Sequence, residues 1–259
     1  MRSKVRAQEK ARRRDQIVDL LSRYGELSAG QLADFLNVTV QTVRTDLREL
    51  DELQLIKRRH GNASLSTPAE NIGYLPRTSL AQDDKCRIAA KVAELVPEGA
   101  SLAIGTGTTA EEVARALINK QNLFVATNNI HAVLALRANP SVTITMAGGK
   151  VRLRDLDFIG AEAIEFFAKY TVDIAIFSIG GLAEDGAILD FNQDEVRARH
   201  AIANCAKQRI LVLDSTKIGR AATCCDGHLA DYDIVVHTGT LSPTAMKRCA
   251  DQGTKLIAV

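Results

Sequence analysis

The strongest constraint on the fold comes from residues 27–60, which contain two helical patterns separated by a short turn and followed by two short strand patterns. Ser28 and Gln31 match a capping box, in which each side chain bonds a backbone N–H that the helix start leaves open. The apolar face of this first helix is expected to comprise Leu32, Phe35 and Leu36. Asn37 and Val38 interrupt the pattern and predict the turn.

The second helix is predicted to begin at Thr39, because a threonine side chain suits the N-cap position. Its buried side is expected to comprise apolar residues at helical spacing, namely Val43, Leu47, Leu50 and Leu53. Two helices joined by a short turn form a helix-turn-helix, whose second helix enters the major groove of DNA. The pattern therefore predicts a DNA-reading module.

The opposite side of the second helix carries residue types that bind DNA. Amide and guanidinium groups bond base edges, whereas hydroxyl groups and cations bond phosphates. The candidate DNA-binding residues of the two helices are Ser28, Thr39, Gln41, Thr42, Arg44, Thr45 and Arg48. The alternative is a helical hairpin whose polar face is only solvated. Arg44 or Arg48 by itself would favour this alternative over DNA binding. The capping box, turn, basic helix and basic hairpin in series favour DNA binding.

The residues after the second helix predict a β-hairpin around Gly61 and Asn62. Candidate phosphate contacts lie on its approach, namely Lys57, Arg58, Arg59 and His60. Such a hairpin is a wing, which reaches the phosphates beside the major groove. The first 60 residues also carry more Lys and Arg than Asp and Glu, whereas the remaining residues carry the reverse. The basic surplus therefore accompanies the predicted helix-turn-helix.

Composition places the chain among soluble proteins of ordinary type. It has 259 residues, of which 46% are hydrophobic and 25% charged, which suits two globular domains. Five cysteines without metal-ligand spacing predict neither a disulfide framework nor a metal site. No apolar run reaches the ~20 residues of a membrane span, and no signal peptide is evident. We therefore expect a cytoplasmic protein without a membrane partner or a cofactor.

The chain is predicted to divide into three parts. Residues 1–65 form the DNA-binding domain, with a first helix near Ala11, and residues 66–84 form a linker that is rich in Pro, Gly and Ser. From residue 85 to 259, apolar strand patterns alternate with helical patterns. This alternation indicates an α/β domain with a mostly parallel sheet that is covered on both faces.

The most informative stretch of the second domain is LAIGTGTTAEEVARAL, at residues 102–117. It predicts a strand, a Gly/Thr loop and a helix that Thr109 and Glu112 cap reciprocally. Backbone N–H groups and hydroxyls at such a helix start bind phosphate. The candidate phosphate ligands are Gly105, Thr106, Gly107, Thr108 and Thr109. A tight turn without a ligand explains the pattern nearly as well.

Further polar groups follow other predicted strands, where ligands collect in open α/β sheets. The candidate effector contacts there are Thr127, Asn128, Asn129, Gly148, Gly149, Gly180, Gly181 and Lys217. A lysine suits a phosphate, and the amides suit the hydroxyls of a polyol. The alternatives are a solvated loop lysine and glycines required only by turns.

Two sets of motifs together resemble the DeoR family of bacterial transcriptional regulators over nearly the whole chain. The first is TVQTVRTDLRELDELQLIKRRHGNA, and the second comprises IGTGTT, TNN, AGG, EVRARHAI and DSTKIGR. The resemblance implies a winged helix-turn-helix followed by an effector domain similar to ribose-5-phosphate isomerase, which is a Rossmann-like fold. It also adds Glu195, in EVRARHAI, to the effector-binding residues.

The resemblance further implies a sequence-specific DNA-binding regulator, a repressor of a carbohydrate or glycerol catabolic operon. A phosphorylated sugar or polyol would release it from double-stranded operator DNA. Within the family the motifs are most similar to regulators of the glycerol-3-phosphate regulon, so glycerol 3-phosphate is the preferred effector. Because one recognition helix contacts few base pairs, we expect a homo-oligomer, a dimer or a tetramer.

An enzyme is the competing hypothesis, in the form of a sugar-phosphate isomerase fused to a DNA-binding domain. Such an enzyme needs a carboxylate base at the reacting carbon. The similar isomerases place paired aspartates after the strand that reads IAIFSIGGL here, and this chain has Gly180, Gly181 and Leu182 there. Other carboxylates within reach of the crevice are Glu184, Asp185, Asp190, Asp194 and Glu195. The sequence favours a regulator that is not an enzyme.

Overall fold

The computed structural model describes residues 9–10, 13–14, 16–18, 20–21, 24–53, 55–59, 61–65 and 74–259. The chain divides into two compact units, Met1–Ala81 and Gln82–Val259. Each unit has its own hydrophobic core. None of the described helices is both long and apolar enough to cross a membrane.

The first unit is a winged helix-turn-helix, as predicted. Among residues 9–24, all those that the structure describes are helical, including Glu9 and Lys10, which precede the predicted start near Ala11. The elements that follow are β1 (Glu26–Ser28), α1 (Ala29–Leu36), α2 (Val40–Glu52), β2 (Ile56–Arg59), β3 (Asn62–Leu65) and α3 (Tyr74–Ser79). The three strands form an antiparallel sheet in the order β1-β3-β2, and β2 with β3 makes the wing.

The predicted capping residues set the ends of the two central helices. The Ser28 side chain and the Gln31 side chain form the reciprocal box at the start of α1. Asn37 ends α1 in the left-handed conformation, with φ 52°, which asparagine tolerates. Thr39 then caps α2 by accepting from the backbone N–H of Thr42.

Two predicted core positions are wrong. Phe35 is 54% exposed and stacks on Tyr24, and Leu53 is 52% exposed because α2 ends at Glu52. The core of the unit instead gathers residues from the N-terminal helix, α1, α2 and the wing, including Ile17, Leu21, Leu32, Val43, Leu47, Leu50 and Ile56.

The stretch predicted as a linker contains helices. Residues 66–73 lie outside the described residues, but α3 covers Tyr74–Ser79 and α4 (Gln82–Leu95) begins before residue 84. In α4, Ile88, Ala89 and Val92 are buried at helical spacing. Residues 66–81, before α4, contain two prolines and have no regular apolar period in the sequence. A linker without regular structure is therefore not supported for residues 74–84.

The second unit is an α/β domain around a parallel sheet of seven strands, in the order β15-β14-β12-β9-β4-β5-β6. Its strands are β4 (Ser101–Ile104), β5 (Phe124–Thr127), β6 (Thr143–Met146), β9 (Val172–Phe177), β12 (Ala206–Leu213), β14 (Ile234–His237) and β15 (Lys255–Ala258). Its other helices are α5 (Thr108–Ala116), α6 (Ile130–Leu136), α7 (Ala161–Phe167), α8 (Gln193–Asn204) and α9 (Pro243–Gln252).

Helices cover both faces of this sheet. Ile88 of α4, Val113 of α5 and Leu136 of α6 pack on one face. Phe167 of α7, Ile202 of α8 and Cys249 of α9 lie in the cluster on the other. Burial on both faces explains why the strands read as continuous apolar runs in the sequence.

Two small antiparallel sheets of short strands lie at the carboxyl edge of the parallel sheet, and they were not predicted from the sequence. β7 (Val151–Arg152) and β8 (Asp157–Phe158) form a hairpin after β6. β10 (Gly181–Leu182), β11 (Ala187–Asp190) and β13 (Cys224–His228) form a small antiparallel sheet. Strands of two residues are too short to show an alternating pattern.

The order of the strands creates a crevice between β4 and β9. From β4 the chain proceeds to β5 and β6 on one side, and then returns to β9, β12, β14 and β15 on the other. Ligands of open α/β sheets bind at such a switch point, outside the carboxyl ends of the strands. A ligand site is therefore expected at the loops after β4, β9 and β12.

Candidate functional site

The exposed face of α2 forms a stripe of polar side chains. Gln41, Arg44 and Arg48 are exposed, and Thr45 is partly exposed. These positions are spaced by three and four residues, so they lie on one side of the helix. Val43, Leu47 and Leu50 are buried on the opposite side. The stripe is the arrangement that a major-groove helix presents to base edges.

Several predicted hydroxyl contacts already serve the helices. The Ser28 hydroxyl accepts from the Gln31 N–H at 3.2 Å. The Thr39 hydroxyl accepts from the Thr42 N–H at 3.2 Å and lies 2.8 Å from the Thr42 hydroxyl. The Thr45 hydroxyl donates to the Gln41 carbonyl at 3.0 Å. The amide and guanidinium groups are therefore freer than the hydroxyls to read bases.

The wing presents three cations in succession. Lys57, Arg58 and Arg59 form most of β2, and all three are exposed. The strand pairs with β3, and Gly61 takes the turn with φ 87°, so that Asn62 can begin β3. His60, the fourth predicted wing residue, lies outside the described residues.

A buried carboxylate in α2 anchors the N-terminal helix, and the sequence did not reveal it. Asp46 is 1% exposed and accepts from the Arg13 guanidinium at 2.5 Å. Arg14 approaches the same carboxylate at 3.7 Å and pairs with Glu49. Arg13 and Arg14 thereby connect the N-terminal helix to α2.

In the second unit, the Gly/Thr loop presents an open helix start. α5 begins at Thr108 with Gly107 as its N-cap, at φ 103°, and within the described part of the chain no side chain caps it. The predicted reciprocal cap of Thr109 and Glu112 is therefore wrong, because both residues lie inside the helix. A Cβ at Gly107 would have no described atom within 4 Å. The helix start can thus receive an anion.

Gly105 has a packing role rather than a binding role. A Cβ at this position would lie 3.1 Å from Phe177 Cβ and 3.2 Å from Ile202 Cδ1. The N–H of Gly105 also donates to the Ile176 carbonyl at 2.9 Å. Glycine is required here because β4 and α8 approach each other closely, which the sequence could not show.

Thr127 and Asn129 connect the loops after β4 and β5. Thr127 donates to the Ile104 carbonyl at 2.7 Å, and Asn129 Nδ2 donates to the Gly105 carbonyl at 3.2 Å. Asn129 Oδ1 accepts from the first amides of α6, including that of His131 at 3.0 Å. These two residues therefore hold the loop in place.

Asn128 differs from its neighbours. It is fully buried, and its Nδ2 donates to the Phe158 carbonyl at 2.8 Å. Its Oδ1 has no hydrogen-bond partner among the described residues. A buried acceptor without a partner is costly, so Asn128 is the amide best able to accept from a ligand.

The two predicted glycine pairs have different surroundings. A Cβ at Gly180 would lie 2.7 Å from Asp190 Oδ1, and one at Gly181 would lie 2.1 Å from the Arg220 carbonyl. Protein atoms fill these spaces, which accounts for both glycines. Gly148 and Gly149 are exposed after the edge strand β6, four strand spacings or about 19 Å from β12. Gly148 and Gly149 are therefore too far from Lys217 to contact the same small ligand.

Charged side chains meet where α8 faces the carboxyl edge. Lys217 is 7% exposed and influences the carboxylate of Asp190. Asp190 is 6% exposed, is influenced by the Glu195 carboxylate and lies 3.8 Å from Arg199 Nε. Burial and the Glu195 carboxylate raise the pKa of Asp190 to about 7, against the effect of Arg199 and Lys217. Glu195 and Lys217 thus belong to one cluster.

The β7–β8 hairpin adds an arginine to this cluster. Arg152 bonds both oxygens of Asp157, at 2.8 and 2.6 Å, and also pairs with Glu195. These carboxylates raise the pKa of Arg152 despite its burial, so it stays charged. Among the residues that the structure describes, no group of His, Cys, Asp or Glu is arranged to hold a metal.

Four charged residues of the cluster were not chosen as site residues from the sequence: Arg152, Asp157, Asp190 and Arg199. Arg199 stands four residues after Glu195 on α8, and this spacing was a signal that both share one face. Asp190 was recognised only as a carboxylate within reach. Arg152 and Asp157 gave no signal, because their strands have two residues each.

Two family models match the chain. One is described as the DeoR-like helix-turn-helix domain and matches residues 13–69. The other is described as the DeoR C terminal sensor domain and matches residues 80–238. Together they cover both units.

Curated relatives align along most of the chain. The glycerol-3-phosphate regulon repressor of Haemophilus influenzae is 38% identical over 245 residues, which are 95% of each protein. The glycerol-3-phosphate regulon repressor of Escherichia coli is 37% identical over 88% of this chain and 90% of that protein. The HTH-type transcriptional repressor CsqR of Escherichia coli is 34% identical over 91% of this chain and 90% of that protein.

Solved structures give a weaker likeness. Ribose 5-phosphate isomerase A of Methanocaldococcus jannaschii matches with a TM-score of 0.39 and 18% identity, over 53% of this chain and 54% of that one. The Plasmodium falciparum enzyme matches with a TM-score of 0.37 and 15% identity, over 52% of each. At these TM-scores the likeness supports no conclusion about this chain.

Proposed function

This chain belongs to the DeoR family of DNA-binding transcriptional regulators, and we propose that it is a repressor released from its operator by a phosphorylated sugar or polyol. The family predicted from the motifs is thereby confirmed. Two of the relatives are named repressors of the glycerol-3-phosphate regulon, which supports glycerol 3-phosphate as the preferred ligand.

The exposed stripe of α2 supports separate roles in base reading and phosphate binding. Gln41 and Arg44 lie near the start of the helix, where a recognition helix meets base edges, with Thr42 beside them. Arg48 lies farther along, and Lys57, Arg58 and Arg59 lie in the wing. We therefore assign sequence reading to the first set and phosphate binding to the second.

The open start of α5 is the observation that carries the effector proposal. Its N–H groups and the positive end of its dipole favour a dianion, and Gly107 leaves room for it. β12, which leads to Lys217, is two strand spacings from β4, or about 10 Å. A molecule the size of glycerol 3-phosphate can span that distance, with phosphate at Thr106 to Thr109.

The polyol end of the ligand would meet the buried polar groups. Asn128 Oδ1 offers an acceptor, and the cluster of Asp190, Glu195 and Arg152 offers carboxylates and a cation. We leave Gly148, Gly149, Gly180 and Gly181 out of the proposed contacts, because the first pair is distant and protein atoms surround the second.

The same geometry favours a sensor over an isomerase. An aldose–ketose isomerase needs a base at the reacting carbon. The loop after β9 has glycines closed by Asp190 and Arg220 at the predicted base positions. Measurable turnover of ribose 5-phosphate, lost in Asp190→Asn, would contradict a purely regulatory role.

Calorimetric titration of the DNA-free protein tests the site. Glycerol 3-phosphate should bind the wild type, whereas inorganic phosphate and glycerol should bind at least ~10-fold more weakly, since each offers part of the contacts. Lys217→Ala and Thr108→Ala should each weaken binding by about 10-fold or more. Lys247→Ala, on the exposed part of α9, is the matched control. Equal affinity in all four proteins would reject this site.

A further inference from the structure

Asp84, in the first turn of α4, connects three distant parts of the second unit. Its Oδ2 accepts from the Ser215 hydroxyl at 2.7 Å and from the Thr238 hydroxyl at 2.8 Å. These partners stand 131 and 154 residues farther along the chain. Ser215 follows β12, and Thr238 follows β14, so Asp84 binds the carboxyl ends of two neighbouring strands.

The bonds around Asp84 form a closed network. The Ser215 N–H donates to the Thr238 hydroxyl oxygen at 2.8 Å, so all three side chains are linked. The other carboxylate oxygen accepts from Arg87 at 2.6 Å, and Arg87 also donates to the Val259 carbonyl at 2.9 Å. Burial raises the pKa of Asp84, but the hydrogen bonds from Ser215, Thr238 and Arg87 outweigh burial. The pKa is therefore below its ordinary value, and the carboxylate stays charged.

The network is attached directly to the proposed effector loop. Ser215–Lys217 is a single 3-10 turn, which Asp214 caps through the Thr216 N–H at 3.1 Å. Ser215 contacts Asp84, and Lys217 stands two residues later. Because the turn is short and capped, a displacement of the Lys217 backbone moves Ser215 with it.

Asp84 also stands beside the segment that leads to the DNA-binding unit. The first unit ends at Ala81, and α4 begins at Gln82, two residues before Asp84. Ala81 has φ 50°, a left-handed conformation that is unfavourable for alanine. The chain therefore enters α4 through a constrained residue, and a shift at the start of α4 reaches Ala81.

We propose that Asp84 is the positioning residue that couples ligand at the Lys217 loop to the segment that joins the two units. The inference rests on the proposed function. Ligand at Lys217 alters the Ser215–Lys217 turn, and the Asp84 carboxylate transmits that change to the first turn of α4. Asp84 itself contacts neither DNA nor ligand, so its loss affects communication rather than binding.

A matched control exists at the opposite end of the sheet. Asp173 accepts from the Ser101 hydroxyl at 2.6 Å, from the Ser101 N–H at 3.0 Å and from Lys207 at 2.9 Å. The chemistry is that of Asp84, but Ser101 begins β4 and Asp173 lies at the start of β9. This network lies at the amino ends of the strands, away from the effector loop.

The test compares Asp84→Asn and Asp173→Asn in the full chain. Operator affinity is measured by fluorescence anisotropy with and without saturating glycerol 3-phosphate, and ligand affinity is measured by calorimetry without DNA. In Asp84→Asn, the ratio of the two operator affinities should fall to less than about 2-fold, whereas operator affinity without ligand and ligand affinity without DNA should each stay within about 3-fold of wild type. Asp173→Asn should keep the wild-type ratio.

The outcomes that overturn the inference are distinguishable. A wild-type ratio of one rejects the proposed function together with the inference. A wild-type ratio retained by Asp84→Asn, or lost equally in Asp173→Asn, rejects the inference alone. If Asp84→Asn does not fold, Ser215→Ala removes one bond of the same network and should lower the ratio likewise. An unchanged ratio in a folded Ser215→Ala protein would then be decisive against it.

Discussion

Single residues in this protein show why glycine patterns are ambiguous in sequence. Gly107 leaves open space at a helix start, whereas Gly105 and Gly180 are glycines because Phe177 and Asp190 approach them. All three occur in similar Gly-rich loops of the sequence. The atoms that exclude a side chain come from elsewhere in the chain, so only the fold can separate a ligand cradle from a close contact.

At the recognition surface we expect Arg44 and Arg58 to differ. Arg44→Ala should cost about 1 to 3 kcal/mol on the operator and relax base preference. Arg58→Ala should weaken binding to all sequences alike and reduce the salt slope by ~1, because it removes a phosphate contact. Anisotropy titrations on operator and scrambled DNA at several salt concentrations measure both. Equal, sequence-independent losses would contradict this assignment.

Asp190 should make stability depend on pH. Burial and Glu195 raise its pKa from 3.8 to about 7, so the folded state binds its proton more tightly. The free energy of unfolding should therefore fall as pH rises from about 4 to about 7. Asp190→Asn should remove this decline and be more stable than wild type at pH 8 by about 1 to 4 kcal/mol.

Urea unfolding at pH 5 and pH 8 measures that difference. Glu184→Gln, at an exposed position in the loop before β11, serves as the control and should follow the wild type. The same pH dependence in wild type and Asp190→Asn would show that this carboxyl is not the group responsible.

At the level of elements, the structure depends on a buried ion pair that orients α2. Asp46 is 1% exposed, and Arg13 is its charged partner at 2.5 Å. Asp46→Asn removes the buried carboxylate that the partly exposed guanidiniums of Arg13 and Arg14 face, so the first unit should lose about 1 to 3 kcal/mol of unfolding free energy. Asp34→Asn, at an exposed position of α1, should change it by less than about 0.5 kcal/mol. Chemical denaturation monitored by circular dichroism measures both.

The elements also show what sequence reasoning can reach. The starts of α1 and α2 were predictable, because Ser28, Gln31 and Thr39 act within three residues of their partners. The inner strands of the parallel sheet were predictable because they are buried on both faces and read as continuous apolar runs, whereas the edge strands β6 and β15 are only partly buried. The β7–β8 hairpin and the β10–β11–β13 sheet were not, since β7, β8 and β10 have two residues each and β11 pairs with β13, which is distant in sequence.

At the scale of the whole molecule, we propose a homo-oligomer of at least two chains. One helix α2 contacts too few base pairs to select an operator, whereas two related by symmetry read a palindrome. Light scattering at concentrations that saturate operator binding should give a mass of at least two chains. A monodisperse monomer under those conditions would contradict this proposal.

We propose that ligand and operator each weaken the binding of the other, although their proposed sites are in different units. By linkage, a coupling of about 1 to 3 kcal/mol weakens each affinity by the same factor, about 5- to 150-fold. The most direct measurement is the anisotropy of labelled operator DNA bound to wild-type protein, titrated with glycerol 3-phosphate at fixed salt. We expect release of DNA, and loss of that release in Lys217→Ala. An operator affinity that no phosphorylated sugar or polyol changes, or release that persists unaltered in Lys217→Ala, would contradict it.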